Sequence, residues 1–292
     1  MQKLLVPFFY DFRKEIAKSR YKKEIITLVL IGSAARDSFV KGQSDIDLIA
    51  VVKSREKKKE VYNFLRKSIK KLNKKHKLGL EKTLNDEVRR GLSSLISNFE
   101  GGFMFGMPLY VFSLRELDIA KAKVRDPKIM LLTTFVGAVD SILYNLKYSS
   151  KIIYGRNLLK QIQPRFSFYE KIKMAVQPYY LILFSLLYLL ISPKQSVKHA
   201  MKACFWEAEF DLMLLHKKLG SYRKNEKAYE KIFFLSTKNI KHLRKTIAYR
   251  KKYEKLKISR TKAIKYIFNS LVFIAHTHGM MIKKEYKNLH IK

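Results

Sequence analysis

Two short apolar runs lie close together near the start of the chain, and a polar segment separates them. Residues 25–31 are all β-branched or aliphatic, with Thr27 the one polar side chain among them, and Gly32 follows them directly. Residues 45–52 form the second run, which begins after the polar turn at residues 41–44. Runs of this length and composition, bounded by turn-forming residues, predict buried strands. The first part of the chain is therefore restricted to an architecture that contains a sheet.

The segment between the two strands has the composition of an anion-binding turn. Gly32 stands where the backbone must turn sharply, and residues 33–38 are expected to form a short helix. The first amides of such a helix point away from its body, where they can donate hydrogen bonds to a phosphate. We therefore assign Gly32 and Ser33 as candidate phosphate-binding residues. Arg36 is a candidate for a further phosphate contact, with a pair to Asp37 or another acid of the same turn as the alternative.

Asp45 and Asp47 are two residues apart on the second predicted strand, so their carboxylates project from the same face. Two adjacent carboxylates repel each other unless a positive charge lies between them, and hard oxygen ligands of this kind suit Mg²⁺. Taken singly, a Gly-Ser pair is typical of an ordinary turn and an Asp-x-Asp pair of a solvated strand end. The order of the two motifs, with Arg36 between them, favours a functional site.

At these residues the sequence resembles the DNA polymerase β-like nucleotidyltransferase superfamily, whose signature is an apolar strand, Gly-Ser, a gap and Asp-x-Asp. The resemblance implies a third carboxylate on a following strand, and Glu81 in the strand-like residues 78–84 is the candidate. Asp86 and Glu87 lie nearby but are more typical of the first turn of a helix. The sequence departs from the usual pattern at Asp37, where many members have glycine.

The resemblance implies an enzyme that transfers a nucleoside monophosphate from an NTP, with ATP as the expected nucleotide, to an acceptor hydroxyl with release of pyrophosphate. Asp45, Asp47 and Glu81 would be the catalytic residues and would bind two Mg²⁺ ions. Two alternatives remain open at this point. One is an inactive relative that binds nucleic acid, and the other is a small-molecule adenylyltransferase of the aminoglycoside-modifying kind.

The rest of the chain predicts an α+β fold in two parts. We expect residues 1–160 to form a polymerase β-like catalytic domain with a small mixed sheet, and residues 161–292 to form an all-α bundle. The sequence around Gly155 is interpreted as a short interruption where the chain passes between the two. Helices are expected over residues 166–191, 194–219, 226–234, 238–257 and 260–286.

The net charge of +37 is concentrated in the second part of the chain. Residues 1–150 carry 30 basic and 16 acidic side chains, a net charge of +14, and residues 151–292 carry 31 and 8, a net charge of +23. Such an excess attracts polyanions, so RNA or another polyanionic acceptor is a possible partner. The same lysines would also be compatible with an ordinary solvated helix face. A cationic drug would need acidic residues in the second part, which weakens the small-molecule alternative.

Cysteine content and the hydrophobic segments bear on the compartment. Cys204 is the single cysteine, which excludes an internal disulfide and indicates a small buried residue in a cytoplasmic protein. Residues 175–191 are strongly apolar but contain Gln177 and Pro178, so we expect a buried bundle helix and no membrane association. His276 and His278 have no acidic neighbour in sequence and are interpreted as surface or capping residues.

Overall fold

The computed structural model describes residues 2–41, 44, 46–80, 109–118, 123–124, 139–233 and 236–290. These residues fall into two compact units, and the chain passes from the first to the second between Arg165 and Phe166. The predicted boundary between the catalytic domain and the helical domain, at residues 160 and 161, stays a prediction. Each unit is described by itself below.

The first unit is built on a four-stranded mixed sheet. Its strands are β1 (Ile25–Ile31), β2 (Asp47–Val52), β3 (Leu109–Ser113) and β6 (Lys151–Gly155), in the order β3-β2-β1-β6. Strand β2 is antiparallel to β1 and parallel to β3, and β6 is antiparallel to β1. A separate pair of two-residue strands, β4 (Leu117–Asp118) and β5 (Lys123–Val124), completes the described strands.

Both faces of the sheet are covered, which explains why the two central strands are apolar almost throughout. Leu28 and Leu30 of β1 pack on one face against helices α1 (Val6–Lys18) and α3 (Lys58–His76). Val29 points to the other face and packs against helix α4 (Val139–Ser149). Alternation along the strand therefore gives each face its own hydrophobic core.

The second unit consists of helices. They are α5 (Phe168–Leu189), α6 (Pro193–Leu214), α7 (Tyr222–Phe233), α8 (Thr237–Lys251) and α9 (Arg260–His290). Serine side chains at positions 167, 192 and 236 cap α5, α6 and α8 by accepting a hydrogen bond from a backbone amide three residues on. The α+β fold class predicted from the sequence is confirmed, with the helices at the expected places.

Two local expectations need adjustment. The segment around Gly155 is a strand, because Ile152 and Tyr154 pair with β1 and the amide of Arg156 donates to the carbonyl of Ile26 at 2.8 Å. Residues 78–80 of the predicted third-carboxylate strand have no strand conformation, and residues 81–84 lie outside the described residues.

Within the part of the chain that is described, α5 is the one helix long and apolar enough to cross a bilayer. Half of its most apolar 18-residue stretch is buried inside the protein.

Candidate active site

Gly32 and Asp47 face each other where β1 ends and β2 begins. Ile31 pairs with Asp47 in the antiparallel register, so Gly32 follows directly beside this aspartate. Gly32 has a φ of +71°, and a Cβ built on it would collide with the Asp47 carboxylate. Glycine is therefore required at position 32 for two reasons, the backbone conformation and the close approach of the carboxylate. This arrangement places the half-buried Asp47 carboxylate directly beside the turn.

The polar turn begins with the one-turn helix α2 (Gly32–Ala35), whose two alanines are buried in the core beneath the turn. The amide of Ser38 donates to the carbonyl of Ser33 at 2.8 Å and closes the turn. Amides at the start of a helix have no partner within the helix. The predicted position of Ser33 at the beginning of a helical turn agrees with this geometry.

Arg36 is buried, with 8% of its surface exposed, and its side chain is fixed by a residue far away in the sequence. Its Nη1 donates to Oδ1 of Asn145 at 2.9 Å, and Nδ2 of Asn145 donates to the carbonyl of Ser141 at 3.0 Å. The α4 helix therefore holds the arginine of the turn through a side chain 109 residues away in sequence. Sequence analysis gave no signal for Asn145, because nothing in the local pattern of α4 indicates this contact.

Asp37 occupies a position that favours glycine. Its φ is +59°, a conformation that aspartate tolerates better than most residues, which accounts for the departure from the usual glycine. Lys151 Nζ donates to Asp37 Oδ1 at 2.9 Å, and Gln2 Nε2 donates to the Asp37 carbonyl at 2.9 Å. Partial burial acts to raise the pKa of Asp37, but the hydrogen bonds and positive charges around it, Lys151 foremost, together outweigh burial and lower the pKa. The end of the turn is thus attached to β6 and to the N-terminal segment.

Ser44 closes the connection that leads into β2. It is buried, its amide donates to the carbonyl of Val40 at 2.9 Å, and its Oγ accepts from the amide of Val40 at 2.8 Å. These two reciprocal hydrogen bonds fix the backbone immediately before the Asp-x-Asp motif. The path of the chain into β2 is therefore set by a local loop rather than by packing alone.

The other proposed metal ligands lie outside the described residues. This applies to Asp45, to Glu81 and to its alternatives Asp86 and Glu87. Among the described side chains there is no group of three His, Cys, Asp or Glu residues that could hold a metal ion. The part of the site that is described, the Asp47 carboxylate beside a glycine without Cβ, has the hard oxygen donor that Mg²⁺ prefers.

The second unit contains buried polar pairs that the sequence did not predict. His278 Nδ1 lies 3.1 Å from Oε1 of the fully buried Glu207, and the Tyr229 hydroxyl donates to Asp211 Oδ2. The hydrogen bond to Glu207 raises the pKa of His278. The acidic neighbour that His278 lacks in sequence is thus supplied by α6, 71 residues away.

Cys204 is buried, as predicted, and it lies 3.7 Å from Nε2 of His242. Burial raises the pKa of the Cys204 thiol to about 12 and lowers the pKa of His242 to about 4. Both groups are therefore neutral at pH 7. The pair is a packing contact of the helical unit rather than an activated nucleophile.

The chain was compared with known families and proteins. Residues 13–92 match the model of the nucleotidyltransferase domain family, and this range includes the Gly-Ser turn and the Asp-x-Asp pair. No curated protein gives a significant match. Among solved structures, spectinomycin adenyltransferase AAD(9) from Enterococcus faecialis with ATP and spectinomycin matches with 15% identity and a TM-score of 0.48, over 94% of this chain and 98% of that chain.

The family match covers the part of the chain in which the site was predicted from the sequence. Gly32, Ser33 and Asp47, with the geometry described above, all lie inside it. The resemblance to the polymerase β-like superfamily and the expectation of a transferase enzyme are confirmed. Residues 13–92 therefore carry a nucleotidyltransferase domain of the polymerase β-like superfamily.

Proposed function

We propose that the protein transfers a nucleoside monophosphate from an NTP to an acceptor hydroxyl in a Mg²⁺-dependent reaction that releases pyrophosphate. The observation that supports this most directly is the pair formed by Gly32 and Asp47. The glycine has a positive φ and no room for a Cβ because the aspartate carboxylate lies against it. This close approach keeps a carboxylate beside the first amides of the turn, which is the arrangement that a site binding a metal and a phosphate together needs.

Asp47 and, from the sequence, Asp45 and Glu81 would hold two Mg²⁺ ions. When bound, these ions would neutralise charge on the triphosphate and lower the pKa of the acceptor hydroxyl. Asp47 fits this role because its carboxylate is a hard oxygen donor at the mouth of the turn. The roles of Asp45 and Glu81 rest on the sequence motif.

The chain's own residues would position the nucleotide. We assign the backbone of Gly32 and the backbone and hydroxyl of Ser33 to the β- and γ-phosphates. Arg36 would supply positive charge at the end of the turn, held in one orientation by its hydrogen bond to Asn145. A side chain that is already fixed loses little conformational entropy on binding, so this contact favours productive alignment of the α-phosphate.

A polyanionic acceptor such as RNA agrees with the charge of the second part of the chain. Residues 151–292 carry a net charge of +23, and four of their eight acidic side chains, those at positions 207, 209, 211 and 226, are buried. The accessible surface of residues 151–292 therefore has a larger excess of positive over negative side chains than the sequence count indicates. Lys238, Lys241 and Lys245 form an exposed row along α8 where phosphates could be neutralised. We accordingly propose residues 1–160 as the catalytic domain and residues 161–292 as the acceptor domain of a cytoplasmic enzyme.

The reaction can be tested with NTPs labelled at the α-phosphate, with ATP first, in the presence of Mg²⁺ and total RNA or protein extract. We expect transfer of label to an acceptor and release of one pyrophosphate for each transfer. Asp47→Asn should abolish both, whereas Asp11→Asn, which alters an exposed ion pair with Lys75, should leave both unchanged. Full transfer by Asp47→Asn would refute the assignment of this carboxylate.

The acceptor class has its own test. If RNA is the acceptor, its affinity should fall steeply with salt, and replacement of Lys238, Lys241 and Lys245 by alanine should flatten this dependence. Label that appears only on small cationic molecules would favour the small-molecule alternative. Salt-dependent RNA binding without metal-dependent release of pyrophosphate would indicate an inactive, RNA-binding relative.

A further inference from the structure

Helix α5 exposes an apolar face to its surroundings. The segment from Met174 to Pro193 contains no charged residue, although 29% of the whole chain is charged. One side of this segment is buried, and on the other side the exposed fractions of the apolar side chains range from 37% at Val176 to 71% at Leu190, with Leu183 at 52%. A solvated helix face normally carries charged side chains. The outward face of α5 therefore has the composition of a surface that is covered.

Helix α9 repeats this pattern. No Asp, Glu, Lys or Arg occurs from Tyr266 to Ile282, and Phe268 and Ile282 are each 63% exposed. Leu271 lies between them on the outward side of the helix. Two helices of one unit thus expose apolar faces in a protein that is otherwise densely charged.

The two faces adjoin each other. The rings of Tyr179 on α5 and His278 on α9 lie 6.0 Å apart, and both side chains are half-buried. Leu183 is one turn along α5 from this tyrosine, and Ile282 is one turn along α9 from this histidine. We call this surface the α5/α9 face, represented by Val176, Leu183, Leu187, Phe268, Leu271 and Ile282.

The size of the α5/α9 face can be approximated from helix geometry. Its exposed apolar side chains run about 27 Å along α5, from Ile172 to Leu190, and about 21 Å along α9, from Phe268 to Ile282, and a helix with its side chains is about 10 Å wide. The face therefore covers on the order of 500 Å² per molecule. Two such faces together reach the roughly 1,000 Å² that a specific protein–protein interface requires. Depletion of Lys, Glu and Asp, with aromatic residues present, is typical of the core of such interfaces.

We propose that the α5/α9 face binds a second copy of this chain and forms a two-fold symmetric dimer. A self-complementary apolar face is what a two-fold contact needs, since each molecule presents the same surface to the other. A polyanion would find no positive charge within this face. A lipid surface fits less well, because the reverse side of α5 is the buried interior of the unit and not the charged, solvated face of an interfacial helix.

The net charge of +37 gives this dimer a distinctive dependence on salt. Two copies repel each other through their lysines, while the α5/α9 face itself has none between Met174 and Pro193. Salt shortens the range of this repulsion from about 10 Å at 0.1 M to about 3 Å at 1 M. The dimer should therefore become stronger as salt rises, whereas binding to anionic vesicles or to RNA should become weaker.

The test is light scattering of the full chain during gel filtration at low and high salt. We expect a mass approaching twice 34.5 kDa that is favoured by salt. The double variant that combines Leu183→Lys and Leu187→Lys should have a mass of 34.5 kDa at every salt concentration. Association should weaken at least about 100-fold, because dimerisation would bury unpaired charges. The matched control is Leu114→Lys, at a leucine 47% exposed in the first unit, and it should remain dimeric. Nucleotide transfer should be unchanged in both variants.

A second measurement does not depend on how the lysine variants fold. Cysteines placed one at a time at Val176, Leu183 and Leu190 should give dimers with a short bis-maleimide, while the buried Cys204 should not react. A wild-type protein that stays monomeric at high salt, or dimers that persist when Leu183 and Leu187 are both lysine, would overturn the proposal. So would capture of the wild-type chain, but not of this double variant, by phosphatidylserine vesicles without any dimer.

Discussion

Replacement of Gly32 by alanine separates the role of this residue in folding from its role in the reaction. The φ of +71° makes any Cβ unfavourable, and this conformation costs an L-residue roughly 1–2 kcal/mol. The new Cβ would meet only the end of the Asp47 side chain, which can rotate away. We therefore expect Gly32→Ala to destabilise the protein by about 1–2 kcal/mol and to lower the Tm by roughly 2–8 °C.

The effect on nucleotide transfer should be much larger than the effect on stability. To restore ordinary van der Waals contact the Asp47 carboxylate must move by about 1 Å, and a misplacement of this size costs about 100-fold in rate. The assay is kcat/KM for transfer of labelled nucleotide, measured beside thermal unfolding of the same preparation. Wild-type turnover by Gly32→Ala would refute the reasoning, because it would mean that the position of this carboxylate does not matter.

Gly155→Ala is the matched control. Gly155 also has a positive φ, +81°, but a Cβ there would collide with the backbone carbonyl of Ile26. Backbone in the β1–β6 pair cannot rotate away, so we expect a larger loss of stability, about 3 kcal/mol, from strain and overpacking together. Turnover per folded molecule should stay close to wild type, since Asp47 is untouched. A larger loss of turnover in Gly155→Ala than in Gly32→Ala, with a smaller loss of stability, would contradict the assignment of Gly32 to the active site.

Three further outcomes are expected. Asn145→Ala should lower the rate of nucleotide transfer by about 10-fold, because Arg36 loses its fixed orientation, and steady-state kinetics check this. Beyond the lost hydrogen bond, the free energy of unfolding should fall by less than about 1 kcal/mol. Asp37→Gly should change stability by no more than about 1 kcal/mol, because glycine accepts the positive φ while the partly exposed ion pair with Lys151 contributes little; urea unfolding checks this. The folded-state pKa of His278 is raised above its unfolded value, so its stabilisation is complete below the unfolded pKa and is lost as pH rises through the folded pKa. The His278→Gln protein should therefore lose less stability than wild type between pH 6 and pH 9. Thermal unfolding at the two pH values makes the comparison, and equal losses would contradict the assigned hydrogen bond between His278 and Glu207.

Local sequence patterns predicted most of the secondary structure. The apolar composition of residues 25–31 predicted β1, and the helical pattern of residues 166–191 predicted the α5 helix. These predictions hold because burial of an amphipathic or fully apolar segment leaves a periodic signal in the residues themselves. The segment around Gly155 was missed as a strand because β6 exists only through its pairing with β1.

Part of the candidate site could be named from the sequence, and the roles of its residues stay predictions. Gly32, Ser33 and Asp47 were identifiable because the residue types that turn a backbone or supply a carboxylate ligand are few. The residues that support the turn were not, since Asn145 and Lys151 lie 109 and 114 residues from the side chains they contact. Nothing in their own neighbourhoods distinguishes them from other polar residues on a helix or a strand.

The sequence by itself determined the chemistry: a glycine turn, acidic residues on a strand and a large excess of lysine follow directly from residue identity. Tertiary structure alone decided how these groups meet. The antiparallel register places Asp47 against Gly32, and helix packing buries Glu207 beside His278. Residue types fix which interactions a side chain can make, whereas long-range packing decides which of them are made, because it brings together segments that no local pattern connects.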